Sequence, residues 1–376
     1  LQIFLPLRGI AICAVVAAHS AIGLLAAHLN ADPANSLTPL LVGAWRLAAP
    51  AKFAILELCR FAVPLFVFLA GYHQARSPRT WRAIWNSSRK LLVPMLFWSL
   101  VAWGASWHKG AGGWAVGEFL RLLVSGQAQL GYFFVILVVQ YFVLSRWLVP
   151  AVQRAPALAI AGAIVLQLLV HGIDYAGLLV RLHLLNAGGL VLRLSPFPEF
   201  LFPRFIVSFT LGIWASLHTD RFKEITGKSF LLLCALAAGA VLLLLVETGI
   251  LFSRGYDVLR MSACTAGMVA WGEWKISTAL WTIAAVFFIT AAARRRLHLK
   301  KVFEACGKNS YEILLLHGMT LRVFMLAGHK FLAGLHWYGI PAFLLLWVAG
   351  VGLPMLAVGL VRRGAPRWVG QLLLGG

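Results

Sequence analysis

The 376-residue chain is 61% hydrophobic and only 12% charged, with 15 Trp and 24 Phe. Soluble domains carry roughly 25% charged residues, so this composition excludes a soluble globular protein and indicates a polytopic membrane protein. The net charge of +21 would suggest nucleic acid in a soluble chain; in a membrane protein the basic residues must first be assigned to loops.

Hydropathy gives about ten spans, on the rule of roughly 20 apolar residues each. They fall near 3–27, 53–72, 91–107, 130–149, 155–171, 200–217, 229–252, 276–293, 309–328 and 337–361. The expected fold is an all-α integral membrane bundle, read as a single domain over 1–376. The first stretch is too long for a signal-peptide core and is expected to remain as a span. The loop after the second span holds Arg76, Arg79, Arg82, Arg89 and Lys90. Later loops on the same side hold Arg146, Arg154, Arg221, Lys223, Lys228, Arg294, Arg295, Arg296, Lys300 and Lys301. The opposite loops, 28–52, 108–129, 172–199 and 253–275, are longer but less basic, which predicts that both termini are cytoplasmic. The excess charge is therefore topology, and no nucleic-acid partner is expected. Two outer stretches, Gly117–Ser125 and Tyr175–Leu194, look amphipathic or re-entrant. No internal repeat and no matched pair of broken helices is visible, as many transporters show.

Cys13, Cys59, Cys234, Cys264 and Cys306 are scattered without paired spacing, which argues against a disulfide framework or a zinc site. No metal is expected.

Polar residues within the spans are few. Arg8 and His19 lie in the first, eleven residues or roughly 16 Å apart along a helix axis. An ionisable group buried that deep either serves a function or is hydrogen-bonded between helices, and residue chemistry alone fits both. Glu57 and Arg60 share a helix face and fit mutual neutralisation. Arg204, Glu312 and Arg322 are further in-span charges, and Glu247 fits a snorkelling or capping residue. His317 is roughly 12 Å into the ninth span, a depth similar to that of His19. Two such histidines suit a proton-handling pair, while two unrelated interhelical hydrogen bonds fit equally. In the segment Tyr72–Lys90, the guanidinium forks of Arg76, Arg79 and Arg82, with Lys90, suit a phosphate-bearing donor such as a coenzyme A thioester. As an isolated feature the same segment fits contact with anionic lipid.

Five short motifs in order resemble the type-3 acyltransferase family of integral-membrane proteins, which acylate bacterial glycans and related acceptors. They are RGIAICAVVAAH (Arg8–His19), VPLFVFLAGYHQARSPR (Val63–Arg79), LLVPMLFW (Leu91–Trp98), YFFVILVVQYFVL (Tyr132–Leu144) and SYEILLLH (Ser310–His317). Ala70 stands where the family commonly has Ser before Gly71, so no hydroxyl role is implied there. The resemblance implies acyl transfer from cytoplasmic acyl-coenzyme A, a co-substrate and not a bound cofactor, to a hydroxyl of a glycan or lipid-linked sugar. It implies His19 as catalytic base or transient acyl carrier and His317 as its companion. Arg8, Arg76, Arg79, Arg82 and Lys90 would contact the donor, with Glu57, Tyr72, Tyr132, Gln140 and Tyr311 in support. The implied location is the bacterial inner membrane, among its lipids. A transporter or glycan flippase with the two histidines as a proton relay is the alternative from another class.

Overall fold

The computed structural model describes residues 4–30, 54–107, 116–181, 185, 189–256, 275–295, 300–334 and 340–375. Most of the expected loops 28–52 and 253–275, with Cys264, lies outside these residues. The helices are α1 (Phe4–Asn30), α2 (Ala62–Gln74), α3 (Trp81–Trp107), α4 (Val116–Val124), α5 (Phe133–Arg154), α6 (Pro156–Arg181), α7 (Gly189–Leu194) and α8 (Ile206–Leu217). They continue with α9 (Thr219–Lys228), α10 (Phe230–Tyr256), α11 (Ile276–Arg295), α12 (Lys300–Lys308), α13 (Ser310–Gly334), α14 (Ile340–Gly364) and α15 (Arg367–Leu374). A 3-10 turn at Phe202–Phe205 leads into α8. No strand occurs among the described residues. In lipid a helix satisfies every backbone donor and acceptor within itself, which is why so apolar a chain takes this form.

Among the described residues, seven helices are long and apolar enough to cross a membrane: Phe4–Leu24, Ala54–Gln74, Phe133–Arg154, Pro156–Val180, Phe230–Ile250, Ile276–Arg295 and Ile340–Gly364. The other three expected spans are helical too, but fall short for identifiable reasons. Phe202–Leu217 is a shorter apolar helix. Trp81–Trp107 begins with Arg82, Arg89 and Lys90, and Ser310–Gly334 carries Glu312, His317 and Arg322. Leu158, Leu231, Leu242 and Leu360 are exposed on α6, α10 and α14, as lipid-facing side chains are. The chain is an all-α membrane protein.

The described residues form two compact units that interleave in sequence. The first comprises residues 1–59, 81–139 and 299–376; the second comprises 60–80 and 140–298. Each is built around a crossing of two helices at glycines. In the first unit a Cβ on Gly9 would lie 1.9 Å from the Phe303 carbonyl oxygen, and one on Gly307 would lie 2.0 Å from that of Leu5. Only glycine allows α1 and α12 to approach backbone to backbone. Ala17, Ala21 and Leu24 of α1 then pack with Leu321, Phe343 and Leu346 of α13 and α14. Trp347 Nε1 donates to the Cys13 carbonyl at 2.8 Å. In the second unit Gly71 and Gly212 do the same for α2 and α8: their Cβ atoms would meet the Phe209 and Phe68 oxygens at 2.2 and 2.0 Å.

Two boundaries differ from the hydropathy reading. The basic segment expected to run as loop to Lys90 is already helical from Trp81, leaving Arg82, Arg89 and Lys90 on an exposed helix face. The fifth span does not stop at residue 171 but runs to Arg181. Asp174 interrupts the hydropathy there, yet it is fully buried and paired with Arg204, so the helix continues through a protein interior.

Candidate active site

The first unit brings His19 of α1 and His317 of α13 together. His19 Nδ1 lies 2.7 Å from His317 Nε2, and the rings are nearly parallel, 5° apart with centroids at 5.0 Å. His317 is fully buried and His19 partly exposed. Proton positions follow from the remaining contacts. His317 Nδ1 lies 2.8 Å from the Leu314 carbonyl and 3.0 Å from that of Ile313. A carbonyl only accepts, so Nδ1 carries the proton and neutral His317 presents a bare Nε2. His19 Nδ1–H therefore donates to it, which leaves the lone pair of His19 on Nε2, a nitrogen with no hydrogen-bond partner among the described residues. An imidazole oriented through one nitrogen and open at the other is the arrangement of a general base with its positioning partner.

A tight turn lies beside this pair. Gly126 and Gly131, at φ of +68° and +82°, bracket the residues before α5. A Cβ on Gly131 would lie 3.5 Å from His317 Cε1 and 3.6 Å from His19 Cε1, ordinary van der Waals distances, so the turn passes beside both rings. Tyr132, fully buried, donates its hydroxyl to the Leu315 carbonyl at 3.0 Å and holds the turn to α13. Tyr311 donates to the Leu91 carbonyl at 2.5 Å and ties α13 to α3. At the same end of α13, Arg362 donates to Asn309 Oδ1 at 2.8 Å and pairs with Glu312.

The expected donor-binding residues divide between the units. Arg8, Arg82 and Lys90 belong to the first and Arg76 and Arg79 to the second. Arg8 is half-buried in α1; Arg82 and Lys90 are exposed. Arg76 already has partners: Nε donates to Ser216 Oγ and Nη2 to Thr219 Oγ1, both at 3.0 Å, and its guanidinium lies 5.2 Å from the ring centre of buried Tyr72. Arg79 is different. Its carbonyl accepts from Arg146 Nη1 at 3.1 Å, but its own Nη1 is buried with no hydrogen-bond partner.

Among the supporting residues, Tyr132 and Tyr311 brace α13, and Glu57 is buried in the first unit. Gln140, in the second unit, braces a loop: Nε2 donates to the Phe200 carbonyl at 2.6 Å and Oε1 accepts from the Phe202 amide at 3.2 Å. Glu247 is a cap, accepting from the Ser277 amide at the start of α11 at 3.2 Å. Gly131 was not singled out from the sequence; its only signal there is a glycine directly before an aromatic apolar run. No cluster of three or more metal-ligating side chains occurs among the described residues.

A scan against protein-family models matches the chain to the acyltransferase domain model over residues 7–361, which runs through both units. The chain is an integral-membrane acyltransferase of the type-3 family. Neither a search of curated proteins nor one of solved structures returned a match.

Proposed function

We propose that the chain transfers an acetyl group from cytoplasmic acyl-coenzyme A to a hydroxyl of a glycan or lipid-linked sugar, with His19 as base. The observation that carries this reading is the contact between His19 Nδ1 and His317 Nε2, because it leaves His19 Nε2 as the open proton acceptor. In the reaction, Nε2 takes the proton of the acceptor hydroxyl as its oxygen forms a bond to the thioester carbonyl carbon. The tetrahedral intermediate collapses with cleavage of the carbon–sulfur bond, and the departing thiolate takes the proton back from His19. The ester and the free coenzyme A thiol are the products, and no acyl-enzyme is needed. His317 holds the His19 ring and, through its hydrogen bond, stabilises the imidazolium that forms. General-base assistance of this kind contributes about 10²–10⁴-fold.

Arg8 and Arg79 supply cationic contacts to the donor's phosphates. Arg79 is the stronger assignment of the R-x-x-R pair, because its Nη1 lacks an acceptor while Arg76 is already held by Ser216 and Thr219. Arg82 and Lys90, exposed on α3, add attraction for the donor or for anionic lipid. We place the protein in the bacterial inner membrane with both termini in the cytoplasm, the chain acting as one acyltransferase domain with about ten spans.

The test is incubation of inside-out vesicles carrying the protein with acetyl-labelled coenzyme A thioester. Alkali-labile label is expected in the glycan or glycolipid fraction. Label that appears equally in vesicles without the protein would overturn the assignment.

A further inference from the structure

Two of the four cysteines among the described residues meet in the first unit, beside its glycine crossing. Cys13 lies one turn beyond Gly9 on α1, and Cys306 directly precedes Gly307 on α12. A Cβ on Gly307 would sit 2.0 Å from the Leu5 carbonyl oxygen and 3.2 Å from the Gly9 nitrogen, so the two backbones touch there. A disulfide needs such an approach, since it spans only roughly 4.4–6.8 Å between Cα atoms. Both cysteines are buried, and their thiols share a hydrogen bond. The other described cysteines are elsewhere: Cys59 packs with the cluster around Ala17 and Ala21, and Cys234 belongs to the second unit.

The contacts assign unequal roles to the two thiols. Cys306 Sγ lies 3.9 Å from Met355 Sδ. A thioether only accepts, so the Cys306 S–H is directed at Met355, and its sulfur lone pairs accept from the Cys13 S–H. When Cys306 loses its proton the thiolate keeps that hydrogen bond, which holds its pKa below the ordinary thiol value against the opposing effect of burial. Cys306 also stands two residues before the exposed Lys308, close to water and to a positive charge that favours the thiolate. Cys13, within α1, is the thiol held ready behind it.

We propose that Cys306 and Cys13 are a peroxide-oxidisable pair that closes into a reversible disulfide between α12 and α1. The Cys306 thiolate attacks one oxygen of hydrogen peroxide and the O–O bond breaks. A sulfenic acid forms, and the departing hydroxide takes up the proton that Cys306 released, as water. The Cys13 sulfur then attacks the sulfenic sulfur; the S–S bond forms, the S–O bond breaks, and the second water leaves with the Cys13 proton. Each sulfur loses one electron and each peroxide oxygen gains one. A dithiol reopens the bond by exchange. The disulfide fixes α1, the helix that carries His19, to α12, and its formation stands without the transfer reaction proposed above.

The experiment starts from reduced full-length protein in nanodiscs. It is treated with hydrogen peroxide, blocked with iodoacetamide in denaturant, digested, and analysed by mass spectrometry before and after dithiothreitol. The peptides that contain Cys13 and Cys306 are expected as one species, two hydrogens lighter than their sum, which dithiothreitol separates. The protein should remain a monomer on a non-reducing gel. In untreated protein both cysteines should carry the alkyl label. Cys59→Ala should link as the wild type does, whereas in Cys13→Ala the link is lost and Cys306 should pass on to sulfinic acid, with no second thiol to stop it. The wild-type digest decides the matter even if a variant fails to fold. Both thiols still alkylated after peroxide, Cys306 ending as sulfinic acid in the wild type, linkage only between two copies, or preferential linkage to Cys59, Cys234 or Cys264 would overturn the proposal.

Discussion

His19 Nδ1 sits 2.7 Å from His317 Nε2, although the two residues are 298 positions apart in the chain. The contact fixes which nitrogen of each ring carries a proton, because His317 Nδ1 is committed to the Ile313 and Leu314 carbonyls. His317 should therefore matter through orientation. His317→Ala is expected to lower kcat by about 10–100-fold, less than the loss on removing His19, which should approach the ~10²–10⁴-fold of a general base. His317→Gln, able to present an oxygen to His19 Nδ1–H, should recover part of the rate. Steady-state kinetics on the three variants checks the order; an equal loss in all three would contradict a positioning role.

Gly131 tests how tightly the pair is held. At φ +82° an alanine costs roughly 1–2 kcal/mol of backbone strain, and its Cβ would enter the space beside both ring Cε1 atoms. Gly131→Ala should cut turnover while leaving helical content by circular dichroism unchanged. A variant as active as the parent would show that the turn does not set the rings.

The glycine crossings give a stability prediction with an internal control. Gly9→Ala and Gly71→Ala place a methyl within 2.2 Å of a facing carbonyl oxygen, so the helices must separate. Both should lower Tm in detergent markedly, as overpacking costs about 1–3 kcal/mol or more. Gly162→Ala and Gly239→Ala, on open helix faces with nothing within 4 Å, should be neutral or stabilising.

Asp174 and Arg204 form an ion pair with both side chains buried, at 2.7 Å. Asp174→Asn leaves the guanidinium charge without its counter-ion and should cost about 3–5 kcal/mol. The double variant Asp174→Asn, Arg204→Gln should be more stable than the single one. Denaturation in mixed micelles reads both, and a double variant weaker than Asp174→Asn would contradict the pairing.

Much of this was legible in the sequence, for reasons that can be assigned to particular residues. The seven apolar helices follow from hydropathy because lipid-facing leucines such as Leu231 and Leu242 are unmixed with charge. His19 and His317 stood out because an ionisable residue in an apolar run is conspicuous, and their similar estimated depth suggested a pair. What bonds to what did not follow, since tautomers depend on backbone carbonyls such as that of Leu314. Gly131 was invisible because its role lies in a positive φ and a close approach, neither of which a glycine in sequence announces. Asp174 was read as loop because hydropathy counts its charge but not the Arg204 that neutralises it across 30 residues. The helical start of α3 was masked by Arg82, Arg89 and Lys90, which signal a loop by composition and in fact form an exposed helix face.

For the donor, Arg79→Ala should raise KM for acyl-coenzyme A without a matching change in acceptor KM, since its orphaned Nη1 is the available contact. Arg76→Ala should instead lower Tm, because it removes bonds to Ser216 and Thr219 within the second unit. Donor affinity unchanged in Arg79→Ala would leave that residue to lipid contact.

The most direct test of His19 as the base is release of free coenzyme A thiol from acetyl-coenzyme A by the purified protein with an acceptor glycan, wild type against His19→Ala. The wild type should release the thiol, and release should be lost in a His19→Ala protein that still inserts and unfolds at the wild-type Tm. Full release without His19 would contradict it.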